Sequence, residues 1–237
     1  MSDEDTKAVI ESAKAIQEVA KLGSKSLDTA SEAGRFIARY TGGVLEEAIG
    51  IYYDKLKYLR WERSIRLMLR ADKFLRDEGL LAPTRPLPLK IAMPLLQGAT
   101  LEDDDYLQDL WAKLLVNAAN ASSGIDVTRS FITIMENLTP LDAHILETIY
   151  QARLSSHGDG FWTAHLPDHV STSTPNAADD PVAPSREVQI SLHNLIRLGC
   201  IVSAMAFPNG TSSVNCVYLT VLGEAFVAAC SLKTSTT

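Results

Sequence analysis

The run from Ser185 to Cys230, "SREVQISLHNLIRLGCIVSAMAFPNGTSSVNCVYLTVLGEAFVAAC", decides the fold. Its first part, "SREVQISLHNLIRLG", reads as an amphipathic helix that closes at Gly199. "CIVSAMAF" and "SSVNCVYLT" are strand-like, and "PNG" between them supplies a hairpin turn. "TVLGEAFVAAC" returns to helix. Upstream, "TRSFITIMENLTPLDAHILETIYQ" gives two short helices. Thr139 caps the second, Pro140 takes its first position and Asp142 the capping-box place. Two helices followed by helix, hairpin and helix is the order of a winged-helix unit. The chain therefore divides near residue 138. The expected class is mainly α: an N-terminal long-helix bundle over 1–138, then a small α+β winged-helix-like unit over 139–237. The second unit carries a loop-rich stretch at 155–185, the best candidate for a flexible segment.

Four parts are expected in the first unit. A helical arm runs over 4–40, a long basic helix over 45–77, a Pro-rich crossing over 79–94, and a further helix over 101–120. In the arm, Glu4/Lys7, Glu11/Lys14 and Glu18/Lys21 repeat at a period of seven and give weak helical support. The seam beneath them is Thr6, Val9, Ala13, Ile16, Ala20, Gly23 and Leu27. Small residues fill much of it, which allows close backbone approach and fits a homo-oligomer contact. Ala30, Gly34, Ala38 and Gly42 continue the small-residue theme at four-residue spacing. In a membrane that is a helix-contact ridge. Arg35, Arg39, Glu46 and Glu47 make a spanning helix costly, so close packing in water is the preferred reading. "TGG" at 41–43 breaks or bends the helix. Gly79 ends the basic helix, with three prolines after it. Thr100 is placed to cap the last helix, with Glu102 to Asp105 in its first turn, and Leu107, Leu110, Trp111, Leu114, Leu115 and Ala118 as its core face.

Composition bounds the function. With 237 residues and 46% hydrophobic content, the chain can bury a core. Its net charge of -7 disfavours wholesale attraction to nucleic acid or anionic membranes. Cys200, Cys216 and Cys230 are odd in number and form no CxxC pair, which reads as reduced thiols in a cytoplasmic protein. "MSDEDTKAVIESAK" lacks the basic and apolar regions of a signal peptide, and no long uncharged apolar run predicts a membrane span.

One segment runs against that acidic balance. "KYLRWERSIRLMLRADKF", Lys57 to Phe74, is its centre. Between Lys55 and Arg76 lie eight of the 22 Lys and Arg, against Glu62 and Asp72 alone. The local balance is +6 in a chain of -7, which leaves -13 for the rest. At about 100° per residue, Arg63, Arg66, Arg70 and Lys73 fall within an arc of about 80°, flanked by Arg60 and Arg76. Arg60, Arg63, Arg66, Arg70 and Lys73 are the candidate surface for an anionic or acidic partner. The simpler reading, and the favoured one, is a solvated face or one paired with Glu102 to Asp105. No aromatic residue stands on the basic face to stack a base.

The winged-helix-like end is a poor DNA reader by charge. Thr139 to Thr237 holds Arg153, Arg186, Arg197 and Lys233 against eight acids. The candidate recognition helix offers Arg186, His193, Asn194 and Arg197, and the tip "FPNG" has no cation. DNA binding there is disfavoured, and a structural or protein-docking role is preferred. His157, His165 and His169 lie near Asp159 and Asp168 without zinc spacing, and read as polar loop residues. Asp103, Asp104 and Asp105 point in different directions on a helix, which argues against a metal site. "GDGF" and "YTGGV" are not phosphate loops, and no GxSxG or Cys/His pairing is present. No catalytic residue, cofactor or metal site is assigned, and the chain is expected not to be an enzyme.

Four motifs in order carry a resemblance. They are Lys57, Tyr58, Arg60 and Trp61; Pro94, Leu95 and Leu96; Glu102, Asp103, Asp104, Leu110, Trp111 and Ala112; and Leu138 to Asp142, "LTPLD". With "AKAIQEVAK" and the ending "LTVLGEAFVAAC", they resemble the abortive-infection alpha family over roughly residues 8 to 230. The stretch 155–185 departs from it. The resemblance implies phage defence and brings no catalytic residues. The first expectation is thus a defence protein acting by binding a partner. The alternatives are a nucleic-acid binder using the Arg60–Arg76 face, and a membrane-acting toxic effector using the Ala30 to Gly42 ridge.

Overall fold

The computed structural model describes residues 35, 36, 38–40, 61–155, 160–172, 182–206 and 212–232. The heptad seam, most of the small-residue ridge, the break at 41–43, the basic helix before Trp61 and the hairpin tip lie outside them. So do Arg60, His157 and Asp159.

The chain is mainly helical, with a three-stranded antiparallel sheet at the C-terminal end. Helix α1 is Trp61–Asp77, α2 Leu89–Leu101, α3 Asp105–Ala119, α4 Arg129–Met135 and α5 Pro140–Ser155. Strand β1 is Phe161–Trp162, followed by α6 Arg186–Arg197, β2 Ile201–Ala206, β3 Ser212–Leu219 and α7 Val221–Ala229. The sheet order is β1-β3-β2, with Phe161 opposite Val217 and Val202 opposite Tyr218. This is the winged-helix-like arrangement, extended by α7.

Local signals explain the boundaries. Gly79, at φ +73°, closes α1, and the Leu80 amide donates to the Leu75 carbonyl at 2.8 Å. Thr139 and Asp142 form the reciprocal cap of α5: the Thr139 amide donates to Asp142 at 2.8 Å and the Asp142 amide to Thr139 Oγ1 at 3.2 Å. Ser185 caps α6 and Thr220 caps α7.

Three expectations change. The Pro-rich crossing set at 79–94 ends at Pro88, because α2 begins at Leu89 and runs through Pro94 and Gly98. Pro94 removes one helical hydrogen bond, but Ile91, Ala92, Leu95, Leu96 and Ala99 are buried, and that burial outweighs the local cost. Thr100 is then inside α2, where its hydroxyl donates back to the Leu96 carbonyl at 3.0 Å. The helix set at 101–120 starts instead at Asp105, capped by Asp104, which accepts from the Leu107 amide at 3.0 Å. Glu102 braces the turn before it, accepting from the Asp103 and Asp104 amides. Finally, the stretch set as loop at 155–185 contains β1. Two residues are too short for an alternation signal, and pairing with β3 is what makes them a strand.

A continuous buried cluster runs from α1 to α7 and crosses residue 138. Trp111 is at its centre, 1% exposed. Its ring lies against Gly98 so closely that a Cβ there would sit 2.6 Å from the ring edge. From the far end of α3, Asn117 Nδ2 donates to the carbonyls of Ala229 and Ser231 at 2.8 and 2.7 Å. The first is a carbonyl that the end of α7 leaves open, and the second lies just beyond the helix. Phe131 of α4 meets Phe226 of α7 edge-on, with centroids 6.0 Å apart.

Gly98→Ala is therefore expected to overpack the α2–α3 contact and cost about 1–3 kcal/mol, read by chemical denaturation. An unchanged midpoint would show that the Trp111 ring moves freely.

Candidate functional site

The basic helix has two sides. Phe74, Leu67, Ala71 and Leu75 of α1 are buried and cover an arc of about 100° at the helical repeat. Arg63 and Arg70 border that arc, so their stems follow the core edge and their heads reach the α2–α3 turn and α3 respectively. Arg66, Leu69, Lys73 and Arg76 lie further round and are exposed.

The inward pair is tied to the acidic corner where α2 turns into α3. Arg63 donates to Asp103 at 3.1 Å and to the Leu101 carbonyl. Arg70 makes three contacts: Nη2 to Asp105 at 2.7 Å, Nε to Asp109 at 2.5 Å and Nη1 to Gln108 Oε1 at 2.6 Å. Arg66 reaches Asp105 at 3.4 Å while keeping an exposed head. Arg39, in the described helical residues before α1, pairs with Asp72. Exposed ion pairs contribute little singly. Arg63 and Arg70 keep only 16% and 21% of their side-chain surface in water and hold two helices in register, so they matter more.

The sequence placed Arg63, Arg66, Arg70 and Lys73 on one face, and α1 carries them so. It also offered pairing with Glu102 to Asp105. The partners are Asp103, Asp105, Asp109 and Gln108, whereas Glu102 and Asp104 serve backbone amides. Asp109 and Gln108 were missed. The signal was available: Asp105 and Asp109 stand one helical turn apart and match Arg66 and Arg70.

Asp142 organises a second polar cluster. It is 1% exposed. Beyond the Thr139 amide, it accepts from the Ser191 hydroxyl and from Asn194 Nδ2 at 2.8 Å, both on α6. Asn194 also donates to the Asn137 carbonyl at 3.0 Å. Burial, then the Asp142 charge, pushes the Cys200 thiol up to about 12, so it stays neutral.

Elsewhere the chemistry is sparse. His165 and His169 stack at 4.8 Å. Among the described residues, no group of three or more His, Cys, Asp or Glu is placed to hold a metal ion. Tyr106 donates to Glu147 at 2.6 Å and stacks on His144 at 4.3 Å. It shares a cleft of about 30 Å³ with Lys113, Phe226 and Cys230. That volume suits a water or two and is too small for a metabolite. Among the described residues, no helix is long and apolar enough to cross a membrane.

Comparison with known families adds one finding. The family model described as abortive infection alpha matches residues 62–230, from α1 through the end of α7. No curated protein and no solved structure matches the chain.

The α1–α3 ion pairs have a pH signature. The hydrogen bond from Arg70, then its charge, holds the Asp105 carboxyl below the usual range. A depressed carboxylate stabilises the fold above its unfolded value of about 4 and loses that contribution as pH falls through its folded value. Arg70→Ala should lower the thermal midpoint at neutral pH by about 2–4 °C and flatten its fall in acid. Lys73→Ala should change neither. A wild-type acid profile in Arg70→Ala would remove the ion pairs from the stability of the fold.

Proposed function

The chain belongs to the abortive infection alpha family, and on that premise we propose that it takes part in phage defence by binding a partner rather than by catalysis. The contact surface in this reading is the outward side of α1: Arg66, Lys73 and Arg76, with Leu69 among them. The observation that carries it is the division of the basic helix. Arg63 and Arg70 are turned to the acids of the α2–α3 corner, while Leu69, 65% exposed, has Arg66 and Lys73 about one helical turn away on either side. A large exposed apolar side chain flanked by cations is a recognition pattern for an acidic protein surface. Charge steers the encounter and the leucine anchors it.

A plaque assay separates the two sides of the helix. Leu69→Glu/Lys73→Glu/Arg76→Glu, which leaves the Arg66–Asp105 pair in place, should abolish protection at an unchanged protein level. The swap Arg63→Asp/Asp103→Arg rebuilds an internal pair with reversed polarity and should keep protection. Absence of protection by the wild type against a broad phage panel would overturn the reading. Full protection by the triple variant would remove this surface from it.

A further inference from the structure

On α6, Arg186, Ile190, His193 and Arg197 fall within about 60° of one another at the helical repeat, in a stripe about 16 Å long. All four are exposed. The opposite face is fixed inward: Val188, Leu192 and Leu195 are buried, Ser191 is bonded to Asp142, and Asn194 is held by Asp142 and the Asn137 carbonyl. The stripe is therefore presented rigidly. Ile190 is 63% exposed at its middle. Among the described residues, neither Arg186 nor Arg197 makes an ion pair; Arg197 donates to Asn194 Oδ1 on its own helix at 2.7 Å. Glu187 stands about 100° away from Arg186 and outside the stripe.

The same chain carries the complement. At the corner between α2 and α3, Leu101 is 56% exposed. Glu102, Asp103, Asp104 and Asp105 follow it directly, with Asp109 one turn further along α3, which makes five carboxylates on this corner and the first turns of α3. The guanidiniums of Arg63, Arg66 and Arg70 meet this cluster, so a surplus of two negative charges remains. An apolar anchor within surplus negative charge faces, on another copy, an apolar anchor between two arginines. Nucleic acid fits the stripe less well. The stripe offers two arginines and no Phe, Tyr or Trp to stack a base, too little to track a phosphate backbone.

We infer that the α6 stripe docks the Leu101 corner of a second copy of this chain. The two patches are different, so the contact is heterologous and runs head to tail. One helical stripe buries a small area, and the association is accordingly concentration-dependent. The α6 stripe is separate from the outward side of α1, the Leu101 corner meets that side at Arg66, and the inference does not rest on the defence reading.

Sedimentation velocity on the full chain tests it through complementation. Arg186→Glu/Ile190→Glu disables the stripe, and neither side chain is engaged in a hydrogen bond or ion pair among the described residues. Leu101→Arg disables the corner without touching the acids of the α1–α3 pairs. The wild type should gain mass with concentration, and each variant alone should stay monomeric. An equimolar mixture of the two variants should form a one-to-one dimer, since one intact stripe then meets one intact corner. A wild type that stays monomeric at all concentrations, variants that still self-associate, or a mixture that stays monomeric would each overturn the inference. Binding of a fluorescent DNA duplex by the wild type, lost in Arg186→Glu/Ile190→Glu, would assign the stripe to nucleic acid instead.

Discussion

The carboxylate of Asp142 is the constraint around which the C-terminal half is arranged. Burying an ionised carboxyl costs several kcal/mol unless its oxygens are met. Here they are met by the Thr139 amide, Ser191 and Asn194. Its place in the first turn of α5 adds a favourable helix dipole. Because two of the donors come from α6, satisfying this one group fixes how α6 is rotated on α5. The rotation in turn decides which α6 residues face water. The exposed stripe and the buried Val188, Leu192 and Leu195 are two outcomes of one requirement.

The N-terminal half solves a related problem with pairs at the surface. Helix α1 has too many cations for a solvated face alone, and α3 starts with too many acids. Packing the two helices side by side brings the surpluses together. The acids at the start of α3 are doubly used, since they also suit the positive end of its dipole. Geometry then limits the exchange. Arg63 and Arg70, bordering the buried arc, are held most fully, Arg66 reaches Asp105 from an exposed position, and Lys73 and Arg76 are exposed further round. The division between holding and presenting residues follows from the 3.6-residue repeat.

Much of this was legible in the residues. The class, the winged-helix-like order, the cap at Thr139 and the helix stops at Gly79 and Gly199 all rest on local signals. Local signals also misled. Pro94 read as the end of a crossing, yet α2 runs through it and on through Gly98. The tight Trp111 contact that needs Gly98 is a tertiary fact with no trace in the helical repeat. Strand β1 was hidden for the opposite reason, being too short to carry any pattern of its own. In the candidate site, the shared face of the arginines was readable. Their rotation relative to the core was not settled, because the partners sit 35 to 40 residues away.

The clamp made by Asn117 bears on the order in which the chain can assemble. Its two acceptors lie 112 and 114 residues further along. While the chain is being synthesised, α1 to α3 emerge first and can pair their charges early, but the buried amide of Asn117 has no native acceptor until α7 arrives. The same holds for Phe131, which waits for Phe226. Contacts of such sequence separation form late, after a long loop has closed. The nascent protein therefore passes through a stage with one end of α3 open to water. Closure of the core is the event that ends it, so a chaperone or protease would meet this chain at its greatest vulnerability just before α7 seats.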